Sequence, residues 1–204
     1  MARSTNLAGL RPYADALRKS PEAAGKAAEI ALNKGADVAR DLGGKQIIKE
    51  LHLELPYVQK HLAVNKKASR GDLLAKISAT RRDVLLPRYG AALRTTKAKT
   101  PKRRLKGDPY RGIPRGRKSA GSKAFAVKRG RPKKRWGNAF FFQGKSSGAW
   151  VMATRKRGDT GRKDFTVRYG PSVYQAWKNV RNDVTPKAMD VVEREFVKQF
   201  NRLV

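Results

Sequence analysis

Between Thr95 and Arg135 the chain carries seventeen basic residues and a single acid, Asp108. The same 41 residues hold Pro101, Pro109, Pro114 and Pro132, with Gly107, Gly112, Gly116, Gly121 and Gly130. Proline removes a backbone donor that a helix interior needs, and like charges this dense repel one another, so a long helix is excluded there. The pattern predicts a long basic Gly/Pro-rich arm, mostly extended, that orders against a partner. The rest of the chain is different. Net charge is +3 over residues 1–64, +6 over 65–94 and +7 over 136–204, so half of the total +32 lies in a fifth of the length. A surplus so concentrated suits a polyanion or an acidic protein surface better than solubility alone.

A length of 204 residues favours one domain, residues 1–204, with the arm at 95–135 as an insertion within it. Ser20-Pro21-Glu22 is a helix start, with Ser as N-cap and Pro at the first helical position. Ala24, Ala27, Ala28, Ala31, Val38 and Ala39 follow near helical spacing, and Gly43-Gly44 suits a C-cap. A shorter helical stretch is expected from Lys45 to about Leu53, and Leu55-Pro56 restarts a turn carrying Val58 and Leu62. From Leu73 to Thr80 the period changes to two, as in a half-buried strand, and Val84-Leu85-Leu86 reads as a second short strand.

Beyond the arm, Ala124–Lys128 reads as a strand. Ala139–Gln143 and Ala149–Thr154 form a hairpin around Gly144-Lys145-Ser146-Ser147-Gly148. Asp164–Tyr169 alternates again, with Phe165, Val167 and Tyr169 on one face. A helix is expected from Ser172 through Val180. A last one starts at Thr185-Pro186, with Val192, Phe196, Phe200 and Leu203 as its apolar stripe. The order of helices, strands and helices predicts an α+β fold, an antiparallel β-sheet with the N- and C-terminal helices packed on one face.

Catalytic chemistry finds no foothold. The chain has no cysteine, which removes disulfides, thiolate metal sites and Cys nucleophiles together. His52 and His61 have no carboxylate at a recognisable spacing, and Asp159, Asp164, Asp183 and Asp190 fall in different elements. Gly144-Lys145-Ser146 lacks the glycine five residues earlier that a phosphate loop needs, because Ala139 stands there. The expectation is a binding protein, not an enzyme, with no metal and no cofactor. No run approaches 18 apolar residues, and Met1–Asn6 leads to Leu10-Arg11-Pro12 without an apolar stretch. Neither a membrane span nor a signal peptide is expected.

The candidate nucleic-acid contacts are Lys102, Arg103, Arg104, Lys106, Arg111, Arg115, Arg117, Lys118, Lys128, Arg129, Arg131, Lys133, Lys134 and Arg135. Arg129-Gly130-Arg131-Pro132 resembles the core of an AT-hook, whose arginines enter a narrow minor groove. In a chain this rich in Arg, Gly and Pro the pattern has little specificity, and general phosphate affinity is the broader reading. Aromatic residues for stacking are thin over 95–124, where Tyr110 stands alone.

The C-terminal half carries a resemblance. The aromatic hairpin Ala139–Gly144 and Gly148–Met152 precedes Phe165-Thr166-Val167-Arg168-Tyr169-Gly170-Pro171-Ser172-Val173, and the chain closes on Glu195-Phe196 through Phe200 and Leu203. This resembles the phage minor tail protein Z family, or tail completion proteins. There a strand ending in a Tyr-Gly-Pro-Ser-Val-like motif leads into a terminal helix with an E-F-x-x-x-[FL] pattern. Tyr169, Gly170, Pro171, Ser172, Val173, Phe196 and Phe200 are the residues that match. The motif itself reads first as a strand-to-helix junction, with Ser172 able to cap the helix.

The resemblance implies a virion protein at the head-proximal end of a long tail, made in the host cytoplasm and acting in head–tail joining. Its implied partners are further copies of itself in a ring, with six the natural number on a sixfold tube. Tail terminator or tail tube proteins, the head–tail connector and phage DNA complete the set, with no membrane. The alternative is a free nucleic-acid-binding protein of nucleoid-associated or ribosomal type.

Overall fold

The computed structural model describes residues 18–99, 107–155 and 165–204. Among them lie helices α1 (Pro21–Glu50), α2 (Leu55–His61) and α3 (Val173–Leu203). The strands are β1 (Leu62–Lys66), β2 (Lys76–Ala79), β3 (Val84–Leu85), β4 (Leu93–Lys97), β5 (Arg117–Ser122), β6 (Ala139–Gln143), β7 (Trp150–Thr154), β8 (Thr166–Val167) and β9 (Tyr169–Gly170). The fold is α+β. Its strands form small antiparallel sheets, β1-β2, β3-β9, β4-β5 and β6-β7-β8, in place of one continuous sheet. The chain divides into two compact units. One comprises Met1–Gln46, Leu55–Thr80 and Tyr174–Val204, the other Ile47–Glu54 and Arg81–Val173.

The first unit is built on α1 and α3. Ala27, Ala31, Gly35, Ala39 and Gly43 recur every four residues along α1. Ala27 and Ala31 pack on Phe196 and Phe200, and Ala39 packs on Val184 and Ala188. The two helices therefore run antiparallel, each presenting an i±4 ridge to the other. This contact overturns the expectation that α1 stops at Gly43-Gly44. A Cβ on Gly43 would stand 2.3 Å from Cζ3 of Trp177, and one on Gly35 would stand 2.2 Å from Cγ2 of Val192. These glycines are places of close approach. Each weakens the helix by roughly 0.5–1 kcal/mol relative to Ala, which the packing offsets.

Pro186 likewise lies inside α3 and does not start a new helix. Val184 and Ala188, on either side of it, are both buried. Beside it, the Thr185 hydroxyl donates to the Arg181 carbonyl at 2.7 Å.

Polar contacts set the register of the unit. Lys34 Nζ donates to Glu195 Oε2 at 2.6 Å, and Gln199 Nε2 donates to Oε1 at 2.7 Å. The Lys34 hydrogen bond first, then that of Gln199, holds the Glu195 carboxyl below its usual range. The Asn33 amide pairs with both backbone groups of Ala68, donating at 3.0 Å and accepting at 2.8 Å. β1, where only a turn was expected, pairs with β2. That strand is shorter than its alternating sequence, because Leu73 and Leu74 lie outside it and are exposed.

In the second unit β6 and β7 form the expected hairpin, with Phe141 opposite Met152 on the buried face. The single strand expected over 164–169 is divided. Val167 pairs with Ala153 of β7, while Tyr169 pairs with Leu85 of β3; Asp164 lies outside the described residues. Ala124–Lys128 is not a strand either. It is held by isolated bridges from Phe125 to Lys134 and from Lys128 to Leu51.

The basic segment is folded from 107 to 135, where an extended arm was expected. β5 pairs with β4, with Thr96 opposite Lys118 and Lys97 opposite Arg117. All five of its glycines take positive φ, from 65° to 85°. Glycine reaches that conformation without penalty, so the same residues that forbid a helix make tight turns.

Candidate nucleic-acid interface

Of the fourteen predicted cations, ten fall among the described residues. Lys102, Arg103, Arg104 and Lys106 lie outside the described residues. Arg115, Arg117 and Lys118 lie on and before β5, and Lys128, Arg129, Arg131, Lys133, Lys134 and Arg135 lie on or beside a loop closed by the Phe125–Lys134 bridge; all are exposed. Arg111 is half-buried, its guanidinium 5.8 Å from the Phe140 ring centre. Asp108, the one acid of the segment, accepts from the Arg111 backbone N–H at 3.1 Å, so it caps a turn.

Two of these cations have structural duties. Arg117 Nε donates to Thr95 Oγ1 at 2.7 Å, and its terminal nitrogen donates to the Thr95 carbonyl at 2.9 Å. Arg129 Nε donates to the carbonyls of Ile48, at 2.7 Å, and Leu51, at 3.3 Å, while its backbone N–H donates to Glu50 at 2.8 Å. It satisfies carbonyls left open where α1 ends. The first arginine of the AT-hook-like core thus serves as a helix cap.

The loop also forms one wall of an open cleft of about 430 Å³. Lys128, Arg131 and Lys134 line it together with Phe125, Trp136 and Tyr169. Phe125 is buried, Trp136 half-buried, and Tyr169 is 51% exposed. Arg168 braces Trp136, its guanidinium 5.9 Å from the ring and its Nε donating to Thr154 Oγ1 at 2.8 Å. Sequence reading of the basic run missed Phe125 and Trp136. The signal was an aromatic at each end of Lys128–Arg135, eleven residues apart, which the Phe125–Lys134 bridge brings together.

Positive potential around this loop reaches His52. Burial first, then the charges of Arg129 and Lys133, lower its pKa from 6.5. The folded protein therefore binds fewer protons at His52 than the unfolded chain. The resulting stability is present at neutral pH and is lost as pH falls through 6.5 and the lower folded value. An NMR titration of the His52 ring protons is expected to give a midpoint below 6.5, moving upward when polyphosphate is added. A midpoint at or above 6.5 without polyanion would refute this electrostatic picture.

Among the described residues no three His, Asp or Glu side chains cluster to hold a metal. None of the described helices is long and apolar enough to cross a membrane.

The motif residues divide between packing and surface. A Cβ on Gly170 would stand 2.4 Å from Cε2 of Tyr89, whose hydroxyl donates to the Pro171 carbonyl at 2.5 Å. Ser172 and Val173 are buried where α3 begins, and Phe196 and Phe200 are buried further along it. Tyr169 alone of the seven is turned outward, into the cleft. Strand, Gly-Pro junction and Phe-bearing terminal helix thus occur in one chain. The family model described as Prophage minor tail protein Z (GPZ) matches residues 14–204.

The chain belongs to the prophage minor tail protein Z family. It is a phage tail structural protein, and the match covers the N-terminal helix and the basic segment as well as the C-terminal motif. Searches of the curated proteins and of the solved structures gave no match. The second unit of this family member carries 29 basic and 6 acidic residues, net +23, whereas the first carries 19 and 10, net +9. The ion pairs Lys34–Glu195, Arg40–Asp37, Arg40–Asp41 and Lys66–Asp72 all lie in the first.

Proposed function

We propose that this minor tail protein completes the head-proximal end of the tail, takes part in joining it to the head, and contacts the phage DNA through the basic surface of its second unit. The observation that carries the DNA contact is the segment 95–135, whose seventeen cations face one acid, itself engaged as a turn cap. Cations without local partners lower the free energy of a phosphate backbone beside them by releasing its counterions. Protein interfaces are depleted in charge at their centres, which favours DNA over an acidic protein surface as occupant.

Membership of the family supports a place in the virion, and the closed symmetry usual for homo-oligomers supports a ring. The proposed neighbours are further copies of the chain, six on a sixfold tube, with tail terminator or tail tube proteins and the head–tail connector. Quantitative mass spectrometry of purified particles, calibrated on the tail-tube subunit, is expected to give a small fixed copy number that fits a ring. Absence from particles, with the protein recovered on cellular nucleic acid, would overturn the proposal.

A further inference from the structure

We infer that the cleft between Tyr169, Trp136 and the 125–134 loop takes an unpaired nucleotide of a DNA strand, so that the protein distinguishes a strand end or single-stranded stretch from closed duplex. The inference rests on the proposed DNA contact and adds what part of the DNA is bound there. Duplex presents phosphates outward and keeps its bases stacked, so a purely electrostatic site needs cations alone. This site has more. Phe125, Trp136 and Tyr169 stand in one cleft with Lys128, Arg131 and Lys134. Planar faces beside cations, with no carboxylate among the described lining residues, are the arrangement by which proteins hold single strands, the base on the ring and the phosphate on the charge. The volume, about 430 Å³, lies in the range of sites for small planar ligands.

Tyr169 has the exposure such a role requires. Its backbone is fixed by pairing with Leu85, while half of its surface is open to solvent. The braced Trp136 supplies a second ring whose orientation is restrained before any ligand arrives.

The test uses the full chain and two DNA probes of the same sequence, a blunt duplex and a duplex with a short single-stranded end containing 2-aminopurine. The overhang probe is expected to bind about 10-fold to 100-fold more tightly, the range set by stacking one base on an aromatic side chain. Its 2-aminopurine fluorescence is expected to be quenched on binding. Tyr169→Ala should remove both the preference and the quenching, so that the two probes bind alike, and Tyr169→Phe should keep them. Equal binding of both probes, insensitive to Tyr169→Ala, overturns the inference and leaves the DNA contact standing. Failure to bind either probe even at low salt overturns both. Displacement of the overhang by poly-glutamate as effectively as by a DNA strand overturns it in favour of an acidic protein surface. Displacement by a free deoxynucleotide alone overturns the strand in favour of a small ligand.

Discussion

Replacing Phe200 with Ala is expected to destabilise the protein by about 3–5 kcal/mol, the range for truncating a buried phenylalanine. The ring is 2% exposed and stacks on Phe196 with centroids 5.9 Å apart and planes 7° from parallel. Both rings lie against Ala27 and Ala31, with Ala23, Ala24 and Ala28 around them. The alanines have no rotamers with which to fill a vacated site, and Val192 and Val197, which also pack on the cluster, are short, so much of the cavity persists. Unfolding in urea should register it as a lower midpoint with unchanged slope, and the melting temperature should fall by ~10 °C. A loss below about 1 kcal/mol would mean that α3 does not pack on α1 at this end. Because Gly35 and Gly43 have no side chains to substitute for lost contact, the helix pair depends on the residues opposite them.

The second large effect is on binding. Changing Arg115, Lys118, Lys128, Arg131, Lys133 and Lys134 together to Gln should weaken duplex DNA affinity by roughly 100-fold or more at moderate salt. The slope of log affinity against log salt should shrink by about 5, at close to 0.9 for each phosphate contact removed. All six are exposed. The fold should therefore survive, with a melting temperature within a few degrees of the parent. Arg117 and Arg129 are kept, because one holds Thr95 and the other the end of α1. The contrast is the control. Arg129→Gln alone should lower stability more than affinity, since it strips partners from the Ile48 and Leu51 carbonyls. Unchanged affinity in the six-fold variant would refute a DNA contact at this surface and return the basic segment to assembly.

Much of the architecture was legible in the residues alone. Two β-prone runs around a short Gly/Ser loop placed the hairpin β6–β7, and the four-residue spacing of Val192, Phe196 and Phe200 marked the buried side of α3, while Leu203, expected on the same stripe, is exposed. Charge counting placed the basic surface between 95 and 135, and the Tyr-Gly-Pro-Ser-Val run with its terminal helix pointed to the family. These are local properties. Hydrophobic period and charge density are carried by the chain itself, whatever it packs against.

What only the tertiary structure decided were residues whose role depends on a neighbour far along the chain. Gly43-Gly44 and Pro186 are stop signals by propensity, yet α1 and α3 run through them because each helix has the other to bury against. A glycine's preference is worth roughly 1 kcal/mol, less than the burial of a Trp or Val side chain across the contact. Arg129 and Arg117 are indistinguishable from their neighbours in sequence, and become a helix cap and a hairpin tie only where open carbonyls meet them. The cleft is of the same kind. Phe125, Trp136 and Tyr169 are separated by eleven and thirty-three residues, and backbone pairing of Phe125 with Lys134 and of Tyr169 with Leu85 holds them around one space. Composition determined that this protein carries a strongly basic surface; long-range pairing determined which of its cations are tied to carbonyls and which stay exposed.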